Sequence, residues 1–316
     1  MDGTPIRNSS KPISLLRNPW DSQLADLLSS PREFLLVASP FITRSVANWV
    51  GEQLNRNAAA TKLQILCLTN VRIESVLSGS LELEGLADLG RAFQGFVPVH
   101  LPALHAKVFI ADKKYAIVTS GNLTHGGLRA NYEYGVAIKD HQLVRVIRRD
   151  FEGYASLGAR LNLDQIVSLI EEFSGLRAEY QKQERGTLKA AGTAFRGRLR
   201  AAEDKVLQIR AEGMSNQAIF CNTIEYLLSK GPLSTAELHP RIQQIHPDIC
   251  DDTVDRIIAG VSFGKKWKHL VRNAQQALKR AGRISYDGIW WRLAGDAKLN
   301  RQPSVDFPAR SPELNR

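Results

Sequence analysis

The spacing of apolar residues separates a first part of the chain, where strand and helix patterns alternate, from a second part dominated by helix patterns. The first part contains short runs rich in Val and Ile, which are typical of buried strands: "EFLLVASPFI", "KLQILCLTN", "FVPVHL", "AKVFIAD", "YAIVTS" and "EYGVAIKD". Between the first two runs, "TRSVANWVGEQLNR" places its apolar residues at helical spacing. This alternation predicts an α/β domain, a layered sheet with flanking helices.

Changes in pattern also predict the domain boundaries. The segment 143–184 has mainly helical spacing and closes a first domain, 1–184. Glycines and basic residues then replace the apolar periodicity, which predicts a linker over 185–212. A second domain follows at 213–295, and the polar, Pro-containing tail 296–316 is predicted to be disordered.

The second domain has a regular order of predicted elements. A helix over 216–229 ends near a Gly-Pro pair, and Ser234 with Glu237 has the spacing of a capping box that begins the next helix. "DDTVDRIIAGV" predicts a third helix with Asp at its start, and 267–281 a fourth that ends at a glycine. Asp287-Gly288 then predicts a β-hairpin. Helices followed by a hairpin indicate a mainly helical winged-helix domain.

The last predicted helix has one apolar face and one polar face. The polar side chains suit contacts to phosphates and base edges in a DNA groove. They are Lys266, Lys268, Arg272, Asn273, Gln275, Gln276, Lys279 and Arg280. A solvated polar face, or a winged helix that contacts another protein, remains open as an alternative.

The charge distribution favours a polyanionic partner. The chain carries a formal charge of +10, and 185–292 holds 18 Lys/Arg against 10 Asp/Glu, a net +8. Such a basic region is typical of a nucleic-acid binder, and DNA is the expected partner. A solvated basic surface would give the same count.

Compartment and cofactors follow from what the chain contains. Its apolar runs are too short to span a bilayer, so we expect no membrane association. No signal-peptide pattern is seen, and three separated cysteines fit a reducing environment, so we expect a cytoplasmic protein. "HPDIC", with nearby His239 and Asp251-Asp252, lacks paired metal-ligand spacing. We therefore expect no metal there, with Asp251 or Asp252 capping a helix and Cys250 packed inside.

The strongest chemical signal is "LHAKVFIADKKYAIVTSGNLT", 104–124. His105 and Lys107 lie two apart on a strand and share a face, and the next strand leads to Ser120 and Asn122. Lys107 supplies a positive charge and Asn122 an amide donor for a phosphate oxygen. His105 is the group there that can attack phosphorus or transfer a proton near neutral pH.

This stretch resembles the signature of the phospholipase D superfamily over about 30–165. The match is carried by His105, Lys107, Asp112, Ser120 and Asn122, while Thr119 stands where the family usually has glycine. The resemblance implies that His105 is the nucleophile or the acid, that Lys107 and Asn122 bind phosphate, and that Ser120 supports them. It also implies that Glu133 orients the histidine, that Asp112 is structural, and that no metal or other cofactor is needed.

The sequence contains one such motif, although the reaction needs a nucleophile and an acid on opposite sides of phosphorus. A homodimer would supply both, as single-motif nucleases of this superfamily do. The segments "HPDICDD", "KKWKHLVRNAQQALKRAG" and "GIWWRLA" resemble winged helices attached to restriction-type nucleases. We therefore expect a metal-independent DNA endonuclease of restriction or antiviral defence, with other defence proteins as candidate partners. The alternatives are an inactive nucleic-acid-binding regulator, a phospholipase or an RNase.

Overall fold

The computed structural model describes residues 12–184, 193–258 and 261–294. The tail 296–316, predicted to be disordered, lies outside the described residues. Within the described ranges no helix is long and apolar enough to cross a membrane.

An eight-stranded mixed sheet forms the centre of the first part of the chain, with the strand order β1-β7-β6-β5-β2-β3-β4-β8. The two pairs β2–β3 and β3–β4 are parallel, and the other neighbours are antiparallel. The strands are β1 (Ile13–Arg17), β2 (Phe34–Ala38), β3 (Gln64–Thr69), β4 (Phe96–His100), β5 (Val108–Ala111), β6 (Tyr115–Thr119), β7 (Tyr134–Ile138) and β8 (Ala159–Arg160). The predicted layered α/β class is confirmed.

Helices cover both faces of this sheet. They are α1 (Asp21–Ser29), α2 (Arg44–Asn55), α3 (Ile73–Leu77), α4 (Leu83–Ala92), α5 (His141–Ala155) and α6 (Leu163–Glu184). A large core joins one face to α1, α2, α4 and α6, and a second core joins the other face to α5 through Val144 and Phe151. Apolar residues on both faces are therefore removed from water, which explains the continuous apolar runs of the central strands.

The segment predicted as a linker contains a long helix, α7 (Thr193–Gly213). Phe195, Ala202 and Ile209 are buried in the first core, and Leu199 and Val206 pack against it. Their spacing of four and three residues is a narrow seam of the coiled-coil type, easily missed in a basic, Gly-containing sequence. The helix runs antiparallel to α6, with Gln165 bonded to Glu212 across the pair. The expectation of a linker with little apolar periodicity is wrong for 193–212.

The C-terminal part combines helices with a small antiparallel sheet of order β12-β13-β9. Its elements are α8 (Asn216–Leu228), β9 (Leu233–Ser234), α9 (Thr235–Ile245), β10 (Asp255–Ile258), β11 (Val261–Lys265), α10 (Lys266–Arg280), β12 (Ile284–Tyr286) and β13 (Trp290–Leu293). The capping box of Ser234 and Glu237 is confirmed. α10 packs on α8, and both contribute to a separate core.

The predicted third helix of this part is a β-hairpin, β10–β11. Val254, Ile257, Ile258 and Val261 have helical spacing, yet all four are exposed. Without a core to cover that face, a helix gains little from its amphipathic pattern, and β-branched residues favour strands. The helix prediction for "DDTVDRIIAGV" is wrong.

A buried polar cluster joins α7 to the C-terminal part. The guanidinium of Arg210, which is 1% exposed, donates to Nδ1 of His246 and to Asp248. The Thr223 hydroxyl donates to the carbonyl of Ile219, so its oxygen accepts the hydrogen of His246 Nε2. The distance from Nε2 to that oxygen is 2.6 Å. Since Nδ1 faces a permanent cation, His246 stays neutral, and burial together with Arg210 lowers its pKa to about 2.

Candidate active site

The residues of the motif meet at one edge of the sheet. Lys107 directly precedes β5, Ser120 directly follows β6, and Glu133 directly precedes β7. These three strands are antiparallel neighbours, so the start of one lies beside the end of the next. The backbone N–H of Thr119 donates to the Lys107 carbonyl at 3.1 Å, which extends the β5–β6 ladder into the site.

His105 and Lys107 form the centre of this edge. The Lys107 ammonium lies 3.3 and 3.4 Å from the two ring nitrogens of His105 and donates to its carbonyl at 2.9 Å. The imidazole is exposed, whereas the lysine is 6% exposed. Burial lowers the pKa of Lys107, and the nearby Glu133 carboxylate partly offsets that effect. The lysine ammonium is thus held in contact with the exposed imidazole of His105.

Ser120 and Glu133 are bonded across the β6–β7 end. The Ser120 hydroxyl donates a short hydrogen bond to Oε2 of Glu133, and the other carboxylate oxygen accepts from Nδ2 of Asn131 at 3.2 Å. The serine oxygen also accepts from the Tyr134 N–H at 3.1 Å. Glu133 is therefore fixed between two side chains and lies close to Lys107. Asn131 was not identified from the sequence as a residue of the site. Its place two residues before Glu133 in "NYEYG" is the one sequence feature that connects it with the site.

Asn122 is positioned by a close backbone approach. A Cβ on Gly127 would lie 2.4 Å from the Asn122 carbonyl oxygen and 2.6 Å from its nitrogen, and a Cβ on Gly121 would lie 2.5 Å from the Gly127 carbonyl. That carbonyl also accepts from the indole of Trp20 at 2.7 Å. The Asn122 side-chain oxygen is buried without a partner in the described part of the chain. The backbone that carries the Asn122 side chain is thus held in place.

Thr119, the position that departs from the family pattern, is accommodated by a glycine on the next strand. Thr119 pairs with Gly135, and a Cβ on Gly135 would lie 2.8 Å from the Thr119 Cβ. The threonine hydroxyl accepts from the Gly121 N–H at 3.3 Å. The larger side chain therefore fits because its neighbour has none, and it adds a bond to the turn that leads to Asn122.

Asp112 lies at the opposite end of β5 from Lys107. Its carboxylate accepts the backbone N–H groups of Arg32, Glu33 and Phe34 at 2.9 to 3.1 Å. Its φ of 52° is in the left-handed region, which aspartate tolerates better than most residues. Asp112 fixes the start of β2 and takes no part in the edge that holds His105.

The predicted DNA-contacting residues lie on α10, remote in sequence from this edge. The exposed members are Lys266, Lys268, Arg272, Asn273, Gln276, Lys279 and Arg280. Gln275 is an exception, because it is 2% exposed and its Nε2 has no partner in the described residues. It lies four residues after Val271 and three before Leu278, both buried, and therefore faces α8. The outward placement predicted for Gln275 is wrong.

The remaining histidines and the "HPDIC" segment have other surroundings. His100 is buried, its Nδ1 accepts the Val71 N–H at 3.0 Å, and burial with nearby arginines lowers its pKa to about 3. Cys250 packs in the C-terminal core as predicted. Asp251 bonds Thr253, and Asp252 accepts from Trp267, so both stabilise a turn and not the predicted helix start.

Comparison with known proteins supports a family for the segment that contains this site. Residues 24–155 match the family model described as cardiolipin synthase, PLD-like domain. The match to a PLD-like domain agrees with the superfamily that the motif resembles. No curated protein matches the chain.

Several solved structures are similar to the chain at low identity. Nuc of Salmonella typhimurium, a phospholipase D family member, is 13% identical over 48% of this chain and 97% of its own, with a TM-score of 0.40. NucT from Helicobacter pylori is 16% identical over 44% and 92%, with a TM-score of 0.36. Phosphatidylserine synthase of Haemophilus influenzae is 13% identical over 63% and 44%, with a TM-score of 0.41.

Proposed function

We propose that the phospholipase D-like domain makes this chain a metal-independent DNA endonuclease. The observation that carries the proposal is the contact between the buried Lys107 ammonium and the exposed imidazole of His105. A fixed cation in contact with an exposed imidazole suits attack on a phosphodiester, because the cation attracts the phosphate to the ring nitrogens. Asn122, whose backbone is fixed two residues after Ser120, can add an amide N–H donor for a phosphate oxygen.

The reaction has two displacements at phosphorus. In the first, a ring nitrogen of His105 forms a bond to phosphorus, and the leaving oxygen takes a proton from a second histidine. In the second, that histidine takes a proton from water, whose oxygen attacks phosphorus and releases His105. Lys107 and Asn122 would hold the non-bridging oxygens, and Glu133, fixed by Ser120, would orient the imidazole.

The second histidine is proposed to be His105 of a second copy. This chain has one H-x-K motif. Its buried histidines, His100 and His246, are engaged in structural bonds. A two-fold axis beside the exposed His105 would bring two identical motifs to opposite sides of one phosphate.

The C-terminal part is proposed to be a winged-helix DNA-binding module. The order α8-β9-α9, then α10-β12-β13, with β9 added to the final hairpin, supports it. α10 carries seven exposed polar and basic side chains opposite its buried face. Such a helix can enter a major groove and contact phosphates and base edges. The setting proposed is bacterial restriction or antiviral defence, by analogy with similar two-domain nucleases.

The decisive experiment is cleavage in EDTA by the wild type beside His105→Ala, with exposed His141→Ala as the matched control. Supercoiled plasmid, single-stranded DNA, RNA and cardiolipin or phosphatidylcholine vesicles serve as substrates. We expect cleavage of DNA that His105→Ala abolishes and His141→Ala retains. Cleavage of lipid alone would assign a phospholipase, cleavage of RNA alone an RNase, and no turnover of any substrate would indicate an inactive regulator.

Mixing tests the shared site. If both His105 side chains serve one phosphate, an equal mixture of wild type and His105→Ala after subunit exchange retains about a quarter of the wild-type activity per site, because mixed dimers lack one histidine. Retention of half the activity would show that each copy works alone.

A further inference from the structure

An aromatic side chain is presented beside the candidate active site by a short, well-bonded turn. Tyr132 lies at the apex of a three-residue turn in which the Glu133 N–H donates to the Asn131 carbonyl at 3.1 Å. The side chains of Asn131 and Glu133 close the same turn. Glu133 in turn bonds Ser120, so the turn is attached directly to the motif.

The ring of Tyr132 is fully exposed, at 108% of its reference area. Within the described ranges it takes part in no hydrogen bond and no ring contact. Large aromatic side chains normally bury most of their surface, so a free ring on a fixed turn is an exception. Its neighbours Ala130 and Asn131 are exposed as well, so the ring does not extend a larger apolar patch.

A second aromatic group with a cation lies next to it. Tyr134 is 53% exposed, and its N–H donates to the Ser120 hydroxyl oxygen. Arg17, its cross-strand partner on β1, places its guanidinium 5.5 Å from the Tyr134 ring centroid. Arg17, Tyr132 and Tyr134 together form what we call the aromatic rim of the site.

We propose that the aromatic rim binds the nucleotide next to the scissile phosphate, with its base stacked on Tyr132 and its phosphate contacting Arg17. The proposal rests on the proposed nuclease function and names a substrate class for it, nucleic acid with an unpaired base at the cleavage point. Aromatic rings combined with cations are the usual means of binding single strands, because every base has a stacking face. The bonded turn fixes the backbone that carries the ring before binding, which reduces the entropy lost on association.

Unpaired bases are required because a base inside a duplex stacks on its neighbours. Stacking on Tyr132 therefore needs a single strand, a frayed end or a base turned out of the helix. The rim predicts faster cleavage of single-stranded than of fully paired DNA at equal phosphate concentration. A second copy of the chain could also cover Tyr132, and the experiment separates the two occupants.

The test compares two diesters that differ in having a base, thymidine 5′-(4-nitrophenyl phosphate) and methyl 4-nitrophenyl phosphate, together with a single-stranded oligonucleotide. The variants are Tyr132→Ala and the conservative Tyr132→Phe. Stacking contributes about 1–3 kcal/mol per base, or roughly 5- to 150-fold. We expect Tyr132→Ala to lower kcat/KM by about that factor for the thymidine diester and the oligonucleotide relative to the methyl diester, and Tyr132→Phe to restore it.

Other outcomes would overturn the assignment. If Tyr132→Ala lowers kcat/KM equally for both diesters, Tyr132 supports the catalytic turn and does not bind the base. If Tyr132→Ala is as active as the wild type, the ring has no role in substrate binding. Dissociation of Tyr132→Ala into monomers in sedimentation would make the ring part of an interface. A wild type that cleaves neither diester would refute the proposed function itself, and the rim with it. A His105-dependent wild type without a selective Tyr132 effect refutes the rim alone.

Discussion

Acidification should destabilise this protein through two buried neutral histidines. In the unfolded chain a histidine has a pKa near 6.5 and binds a proton below that pH. In the folded protein His246 and His100 have pKa values of about 2 and about 3, so they remain neutral far below pH 6.5. The unfolded state therefore binds more protons, and the free energy of unfolding falls as pH falls below 6.5.

The loss of unfolding free energy depends on how far the pH lies below 6.5, the pKa of histidine in the unfolded chain. At pH 5 each unfolded histidine is almost fully protonated and each folded one is not, which costs about 2 kcal/mol per histidine. Both side chains are nearly completely buried, at 0% and 2% exposure, so solvent does not weaken the effect. The pair should remove about 4 kcal/mol between pH 7.5 and pH 5, a large share of a typical domain stability.

Urea unfolding followed by tryptophan fluorescence at several pH values measures this change. Carboxylates also titrate in this range, so the comparison is with His246→Gln and His100→Asn, which cannot bind the proton. Each variant should lose about 2 kcal/mol less than the wild type between pH 7.5 and 5. The exposed His141→Gln is the matched control and should keep the wild-type slope. Identical pH slopes for the wild type and both buried-site variants would refute the reasoning.

Further predictions concern single contacts. Gly127→Ala should displace Asn122, whose backbone nitrogen would lie 2.6 Å from the new methyl, and lower kcat at least tenfold in a diesterase assay. Asp112→Ala should lower the unfolding free energy by about 2–4 kcal/mol in denaturant, since three backbone N–H groups lose a carboxylate. Lys279→Ala should weaken duplex binding and reduce the salt slope by about one ion in a titration. Gln275→Leu should leave that slope unchanged, because the side chain is buried.

The sheet and the motif edge could be predicted because both depend on local patterns. Val- and Ile-rich runs indicate strands wherever they become buried, and a two-residue spacing places His105 and Lys107 on one face. In the structure both residues lie just before β5, and their side chains are in contact. The neighbouring bonds of Asn131 could not be foreseen, because they depend on how the turn before β7 closes.

The errors arose where tertiary contacts decide the structure. The apolar spacing of 254–261 fits a helix, but a helix there would need a core to cover its apolar face. Among the described residues, Val254, Ile257, Ile258 and Val261 are exposed. In α7 the opposite holds, since a sparse seam becomes stabilising only because α6 offers a matching one. Gln275 is buried because α8 packs on that side of α10, and the sequence of α10 alone does not show this.

The pairing of Thr119 with Gly135 has a consequence for how this site can change during evolution. A Cβ on Gly135 would lie 2.5 Å from the Val118 carbonyl oxygen and 2.8 Å from the Cα and the Cβ of Thr119, so backbone atoms alone require glycine at 135. Relatives should therefore keep glycine at the position of Gly135, whether the position of Thr119 holds glycine or a β-branched residue. In this chain Gly135→Ala should remain disruptive in a Thr119→Gly background, and a double-mutant cycle would test this. The absence of a side chain at 135 is thus what leaves room for variation at the position that departs from the family signature.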